Sequence, residues 1–205
     1  NIFESLVEYN DTKIINIGSS CIYPLSADNP INENSLMSGK LEPTNSPYSM
    51  AKLSSLEISR TMRDQFGHKI LNLMPTNLYG PNDNYHPKNS HVMAALIRKF
   101  LIAKKEHLPS VTCWGSGQVF REFMHVDDLA DGVIFCLKNW YPSKEDAPKD
   151  SIGNPLNHLN IGTGKDISIK ELATKISLIT NFQGEILWDT SKPDGTPKKL
   201  LDVSR

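Results

Sequence analysis

Short apolar runs ending in small or turn-forming residues alternate along this chain with longer amphipathic segments, and that alternation limits the fold more than any other feature. Residues 13–18 (K-I-I-N-I-G) read as a buried strand with a small residue at its exit. Residues 47–67 read as a long amphipathic helix, with Pro47 suited to its first turn and Gly67 to its C-terminal stop. Residues 70–75 form the next expected strand, 92–105 a helix and 110–114 a strand. A helix over 126–138 opens on Asp127 and Asp128, acids that suit the positive end of a helix dipole. After a polar linker over 141–155, residues 158–161 read as a strand, 168–180 as a helix and 185–188 as a last strand; residues 1–9 read as the end of a helix. Such alternation predicts an α/β fold built on a parallel, doubly wound sheet.

A dinucleotide-binding fold of that class normally opens with a strand, a glycine-rich turn and a helix. The 12 glycines here never fall as G-x-G-x-x-G. Gly115 and Gly117 begin the pattern but Phe120 breaks it; Gly162 and Gly164 begin it again and Ile167 breaks it. With a start inside a helix, this predicts a chain without the opening strands of its sheet. That the chain binds no dinucleotide is the simpler alternative. A content of 39% apolar and 22% charged residues in 205 is that of a globular protein with a real core. A net charge of -1 offers no footprint for nucleic acid or an anionic membrane, and no apolar run nears the roughly 18 residues of a membrane helix. The opening NIFESLVEYNDTK lacks the marks of a signal peptide. Cys21, Cys113 and Cys136, odd in number and far apart, read as reduced thiols of a cytoplasmic protein, without the spacing of a metal site.

Tyr48 and Lys52 stand four residues apart on the long helix, which sets phenol and ammonium one turn apart on one face. A cation there stabilises the charge left on a phenol oxygen that gives its proton to a sugar or carbonyl oxygen. The motif alone is weak, since about half a Y-x-x-x-K is expected by chance at this composition. A second copy, Tyr9 with Lys13, straddles a helix end and a strand start, so its side chains would not share a face. Context favours the first copy. Gly18-Ser19-Ser20 follows directly on a strand, which sets hydroxyls at the carboxyl edge of the sheet, where open α/β folds bind ligands. Pro75-Thr76-Asn77-Leu78 follows the next strand and adds polar groups at that edge.

Ser19, Tyr48 and Lys52 resemble the triad of the extended short-chain dehydrogenase/reductases that act on nucleotide sugars. Within them, GSSCIYP (18–24), LEPTNSPYSMAK (41–52), MPTNLYGPNDNYHPKNSHV (74–92), WGSG (114–117) and REFMHVDD (121–128) resemble the GDP-L-fucose synthases. The resemblance runs from about Ile14 to Asp202. It implies 3,5-epimerisation of GDP-4-keto-6-deoxy-D-mannose, reduction of its 4-keto group by NADPH, and a homodimer touching along the Tyr48 helix. It also implies a Rossmann-like sheet, incomplete at its N-terminal side, interleaved with a smaller substrate domain. Residues 1–79 and 121–163 would belong to the sheet, and 80–120 and 164–205 to the substrate domain. Ser19 and Tyr48 would bind and protonate the C4 oxygen, and Lys52 would hold the nicotinamide ribose. Ile17, Gly18, Ser19, Ser20, Tyr48, Lys52, Pro75, Thr76, Asn77, Leu78 and His91 would contact or flank NADP(H). Cys21 and His91 would move protons at the epimerised carbons, and Lys99, Trp114, Arg121 and Asp194 would hold the GDP-sugar. Position 99 is often arginine in the family; lysine keeps the charge but loses the fork.

Plainer readings stand beside these. Cys21 alone is a small buried hydrophobe, His91 a capping or core histidine, and Trp114 a packing residue. Arg121 could pair with Glu122 or Asp128 on the surface, and Asp194 in K-P-D-G could be a turn former. His125, ahead of two acids, reads as structural at a helix start, and Cys113 and Cys136 as core thiols. The rival functions are a nucleotide-sugar 4-epimerase or 4,6-dehydratase, of which a pure 4-epimerase would need no Cys21/His91 pair, and a non-catalytic scaffold, which would need no Ser19/Tyr48/Lys52 set.

Overall fold

The computed structural model describes residues 2–140, 145 and 147–205. Its helices are α1 (Ile2–Leu6), α2 (Ser46–Phe66), α3 (Val92–Lys105), α4 (Val126–Asn139) and α5 (Ile169–Thr180). Its strands are β1 (Lys13–Ile17), β2 (Lys69–Pro75), β3 (Asn77–Tyr79), β4 (Ser110–Trp114), β5 (Phe120–His125), β6 (His158–Ile161), β7 (Asp166–Ser168), β8 (Glu185–Asp189) and β9 (Lys198–Lys199). The chain divides into two compact units, one of residues 1–78, 124–164 and 201–205, the other of 79–123 and 165–200.

In the first unit β1, β2 and β6 form a parallel sheet in the order β1-β2-β6, with Ile17 opposite Leu73 and Pro75 opposite Ile161. All three strands therefore end at one edge. The central strand β2 is buried from Ile70 to Pro75, as its nearly unbroken apolar run requires of a strand covered on both faces. Lys13 and Asn16 of β1 have opposite parity and point to opposite faces. Lys13 donates from Nζ to the Leu137 carbonyl of α4, and Asn16 donates to Ser55 Oγ of α2 at 3.0 Å. Helices thus cover the sheet from both sides. Helix α2 carries Pro47 in its first turn and stops at Gly67, whose φ of 73° is left-handed and free of strain for glycine.

The core of this unit gathers Ile22, Tyr23, Ile31, Leu56, Met74 and Leu201. A buried polar network runs through it. Tyr23 donates from Oη to Asn160 Oδ1 at 2.6 Å, and Asn160 Nδ2 donates to the carbonyls of Ile31 at 2.8 Å and Asp202 at 2.9 Å. The Asn160 N–H donates to Glu33 Oε1 at 2.9 Å, and His158 Nε2 lies 3.1 Å from the Glu33 carbonyl. Burial, aided by the Glu33 charge, keeps the Tyr23 phenol protonated far above its ordinary range. Burial also holds the His158 imidazole below its usual range, and hence neutral near pH 7.

The second unit pairs β4 with β8 in parallel, Ser110 opposite Glu185 and Trp114 opposite Asp189. Helices α3 and α5 pack together, and the core joins Leu96, Phe100, Val111, Cys113, Leu172, Ile176 and Phe182. The rings of Phe100 and Phe182 meet edge to face at 5.5 Å. Strand β5 pairs antiparallel with β7 and parallel with β9.

Several expectations from the sequence change here. The segment before α4 is a strand from Phe120 rather than part of a helix entry, while His125 keeps its expected structural place as the helix cap, accepting from the Asp127 N–H at 3.2 Å. Strands β3, β7 and β9 are too short for periodicity to reveal. Cys113 is a core thiol, but Cys136 is only half-buried. Part of the expected linker, residues 141–144 and 146, lies outside the described residues. Its later part is a turn closed by a bridge between Lys149 and Pro155, in which Asp150 accepts from the N–H groups of Ile152 and Asn154. Among the described residues no helix is long and apolar enough to cross a membrane.

Candidate active site

Where β1 ends, the backbone turns sharply beside β2. Gly18 donates from its N–H to the Leu73 carbonyl at 2.8 Å. A β-carbon at position 18 would overlap Met74 Sδ and lie 3.2 Å from that carbonyl, so any larger residue there must displace the buried Met74 side chain. Ser19 follows as the cap of a single 3-10 turn, Ser20–Ile22, with its Oγ accepting from the Cys21 N–H at 3.2 Å. Ser20 is buried, whereas Ser19 and Cys21 are half-buried.

Helix α2 is fastened to this turn at two points. The buried Ser49 hydroxyl donates to the Cys21 carbonyl at 3.0 Å, and Lys52 Nζ donates to the Ile17 carbonyl at 2.7 Å. The same ammonium lies 5.9 Å from the centre of the Tyr48 ring, and Tyr48 is 45% exposed. The structure therefore brings Ser19, Cys21, Tyr48 and Lys52 to one sheet edge. Pro75, Thr76, Asn77 and Leu78 continue from β2, the strand beside β1, with the Thr76 N–H donating to the Ile161 carbonyl. Chemically, an accessible phenol beside an ammonium, with a second hydroxyl on the adjoining turn, suits proton donation to an oxyanion.

The second unit gathers the other predicted ligand residues. Lys99 Nζ donates to the Thr112 carbonyl at 2.8 Å and lies 5.5 Å from the Trp114 ring centre. Lys192, which the sequence did not single out, lies 5.8 Å from the same ring. Trp114 is 66% exposed, so packing does not account for it. Arg121 donates from Nη1 to the carbonyls of Phe120 at 2.7 Å and Thr196 at 2.6 Å. Asp194 is anchored rather than turn-forming: it accepts from the Ser116 N–H at 2.7 Å and the Ser116 hydroxyl at 2.8 Å. Ser116 was also missed; the glycines on either side of it were its signal. His91 is exposed at the start of α3, and its side chain makes no capping hydrogen bond.

The two hydrogen bonds from Ser116, backbone first, and then the nearby Arg121 charge hold the Asp194 carboxyl below the usual carboxylate range. A depressed carboxyl stabilises above its unfolded value of about 4, and that contribution is lost as pH falls through the lower folded value. The Ser116 amide is thus expected to stay protected from hydrogen exchange at neutral pH. Asp194→Ala is expected to remove that protection at every pH. Equal protection in parent and variant would show that the clamp does not hold in solution.

Residues 1–153 match the family described as NAD dependent epimerase/dehydratase. The chain is 43% identical over 205 residues to the GDP-L-fucose synthase of Escherichia coli (strain K12), a match that covers 100% of this chain and 63% of that protein. Among solved structures, a GDP-6-OMe-4-keto-L-xylo-heptose reductase from C. jejuni superposes with a TM-score of 0.87 at 34% identity, over 100% of this chain and 67% of that one. A GDP-L-fucose synthetase from Naegleria fowleri bound to NADP superposes with a TM-score of 0.84 at 25% identity, over 100% of this chain and 61% of that one. The chain spans 55% to 63% of the length of the first curated relatives it matches. With the family match covering most of its residues, and a phenol–ammonium pair at the carboxyl edge of a parallel sheet, the chain belongs to the NAD-dependent epimerase/dehydratase family.

Proposed function

We propose that the full-length protein is a GDP-L-fucose synthase, converting GDP-4-keto-6-deoxy-D-mannose to GDP-L-fucose by 3,5-epimerisation and NADPH-dependent 4-reduction. The observation that carries the proposal is the fastening of Lys52 to the Ile17 carbonyl, which sets its ammonium beside Tyr48 on the helix bound to the Ser19–Cys21 turn. The names of relatives that act on GDP-sugars support it.

These residues fit a dinucleotide. An ammonium has three N–H donors and Ile17 takes one, which leaves donors for the hydroxyls of a ribose. Lys52 and Tyr48 would hold the nicotinamide ribose, with Ile17, Gly18, Ser19, Ser20, Pro75, Thr76, Asn77, Leu78 and His91 around it. Bound NADPH would supply a hydride for the 4-ketone.

The chain's own residues do the rest. Ser19 and Tyr48 bind the C4 oxygen, so the charge that forms when a proton leaves C3 or C5 falls on an oxygen facing two donors. Cys21 and His91 then serve as the pair that removes each proton and returns one to the opposite face. Tyr48 finally gives its proton to the C4 oxygen, and Lys52 stabilises the phenolate left behind. Lys99, Trp114, Arg121 and Asp194 hold the nucleotide part. Arg121 is the group suited to phosphate, and Trp114 offers a face for stacking. The same reading assigns the work to a cytoplasmic homodimer joined along the outer face of α2, where Met50 and Ile58 are exposed.

In deuterated water with GDP-4-keto-6-deoxy-D-mannose and NADPH, the full-length protein is expected to oxidise NADPH and place deuterium at both C3 and C5. Cys21→Ala is expected to lower deuterium incorporation about 10^2-fold or more, the lower end of what a positioned acid or base contributes. Reduction without deuterium would leave a plain ketoreductase and remove Cys21 and His91 from the mechanism.

A further inference from the structure

Helix α2 meets the sheet through polar groups rather than through a wholly apolar stripe, and these bonds are spread along its length. From its start, Ser49 Oγ donates to the Cys21 carbonyl and Lys52 Nζ to the Ile17 carbonyl. Ser55 Oγ accepts from Asn16 Nδ2 at 3.0 Å, and Ser59 Oγ accepts from Asn72 Nδ2 at 2.8 Å. Asn16 Nδ2 in turn lies 2.7 Å from Asn72 Oδ1. Apolar ridges can slide along a sheet at little cost, whereas directional bonds at several heights fix the axial position of a helix. Among the serines, Ser49 is the one that reaches the site. Its side chain is fully buried and adjoins Tyr48 in sequence, and its bond ends on the carbonyl of the cysteine that the mechanism uses.

We propose that Ser49 is a positioning residue: its hydroxyl fixes the Cys21 turn against the helix that carries Tyr48, so that proton transfer at carbon and proton donation to the C4 oxygen are aimed at one substrate pose. This rests on the proposed function for its kinetic consequence, but not for its structural one. Ser49 touches no substrate. It acts through the Cys21 carbonyl, whose orientation sets where the thiol of that residue points. The Ser19 bond to the Cys21 N–H restrains the same residue through its preceding peptide, so Cys21 is held on both sides of its α-carbon, and among the described bonds Ser49 supplies the one from α2 that ends on Cys21 itself.

The test uses Ser49→Ala in the full-length protein, with Ser54→Ala as control. Ser54 is exposed on the same helix and bonds only to the Met50 carbonyl of that helix. Alanine fits the space left by serine, so Ser49→Ala is expected to fold. Two quantities are read: alkylation of each cysteine by iodoacetamide, located by peptide mass spectrometry, and deuterium incorporated at C3 and C5 per NADPH oxidised. Ser49→Ala is expected to change Cys21 alkylation several-fold while leaving Cys113 and Cys136 unchanged. It is expected to lower deuterium per hydride by about tenfold, the rate equivalent of one hydrogen bond. Ser54→Ala is expected to match the parent in both. If Ser49→Ala leaves Cys21 alkylation within twofold of the parent, or changes all three cysteines alike, the positioning role is overturned. If Cys21 alone changes but parent and variant both fail to turn over the keto-sugar, the positioning of the turn stands and the proposed function falls.

Discussion

Tyr48→Phe is expected to lower turnover of the 4-keto substrate by about 10^2- to 10^4-fold, the range that a positioned proton donor contributes. The phenyl ring keeps its place one turn from Lys52, and the ammonium keeps its bond to Ile17, so only the proton donor is lost. Because Tyr48 is nearly half exposed, its hydroxyl contributes little to folding, and the urea midpoint is expected to stay at the parent value. Deuterium exchange at C3 and C5 should fall as well, because the charge formed when the carbon loses its proton sits on the oxygen that Tyr48 would face. Ser19 still donates there, so exchange should fall less than reduction. Steady-state NADPH oxidation and mass analysis of recovered substrate measure the two separately. Turnover within tenfold of the parent would remove Tyr48 as the donor and pass the role to Ser19.

Asn160→Ala is expected to destabilise the first unit by about 2–4 kcal/mol in urea unfolding. It orphans the Tyr23 hydroxyl and the Asp202 carbonyl in one step and leaves the Ile31 carbonyl with only the Asp202 N–H, and each buried group without a partner costs about 1–3 kcal/mol. The sum is discounted because Asp202 is only half-buried and water can reach it. The same side chain joins the loop after β1, strand β6 and the C-terminal residues, with its partners 42 to 137 residues away in sequence, so the loss is cooperative rather than local. Tyr23→Phe removes one of those bonds and should cost about 1 kcal/mol. In the double variant the Tyr23 change should add almost nothing, since its partner is already gone. A loss below about 1 kcal/mol for Asn160→Ala would mean that the network does not bear on stability.

The long elements were legible because their signals are local. Helix α2 begins one residue before Pro47 and stops at Gly67, and α3 and β6 begin and end at their expected residues. The pairing of Tyr48 with Lys52 needed only the period of a helix, and the place of Ser19 needed only a strand followed by a glycine. The strands β3, β5, β7 and β9 were not legible. Two or three residues carry no period, and Phe120–His125 borrowed the look of a helix start from the acids that follow it. The partners of polar side chains were hidden for a different reason. Asn160 reads as an unremarkable residue in a short strand until residues 23, 31 and 202 fold around it. Ser49 reads as the residue after a tyrosine until the Cys21 carbonyl arrives above it, and Ser116 reads as a spacer between glycines until Asp194 comes to rest on it. By itself, the sequence determined the alternation of strands and helices, the phenol–ammonium pair and the hydroxyl-bearing turn at the sheet edge, because each follows from neighbours a few residues away. Only the tertiary structure decided which buried polar groups satisfy one another and so hold those residues in place, because hydrogen bonds between distant segments leave no local pattern in a chain.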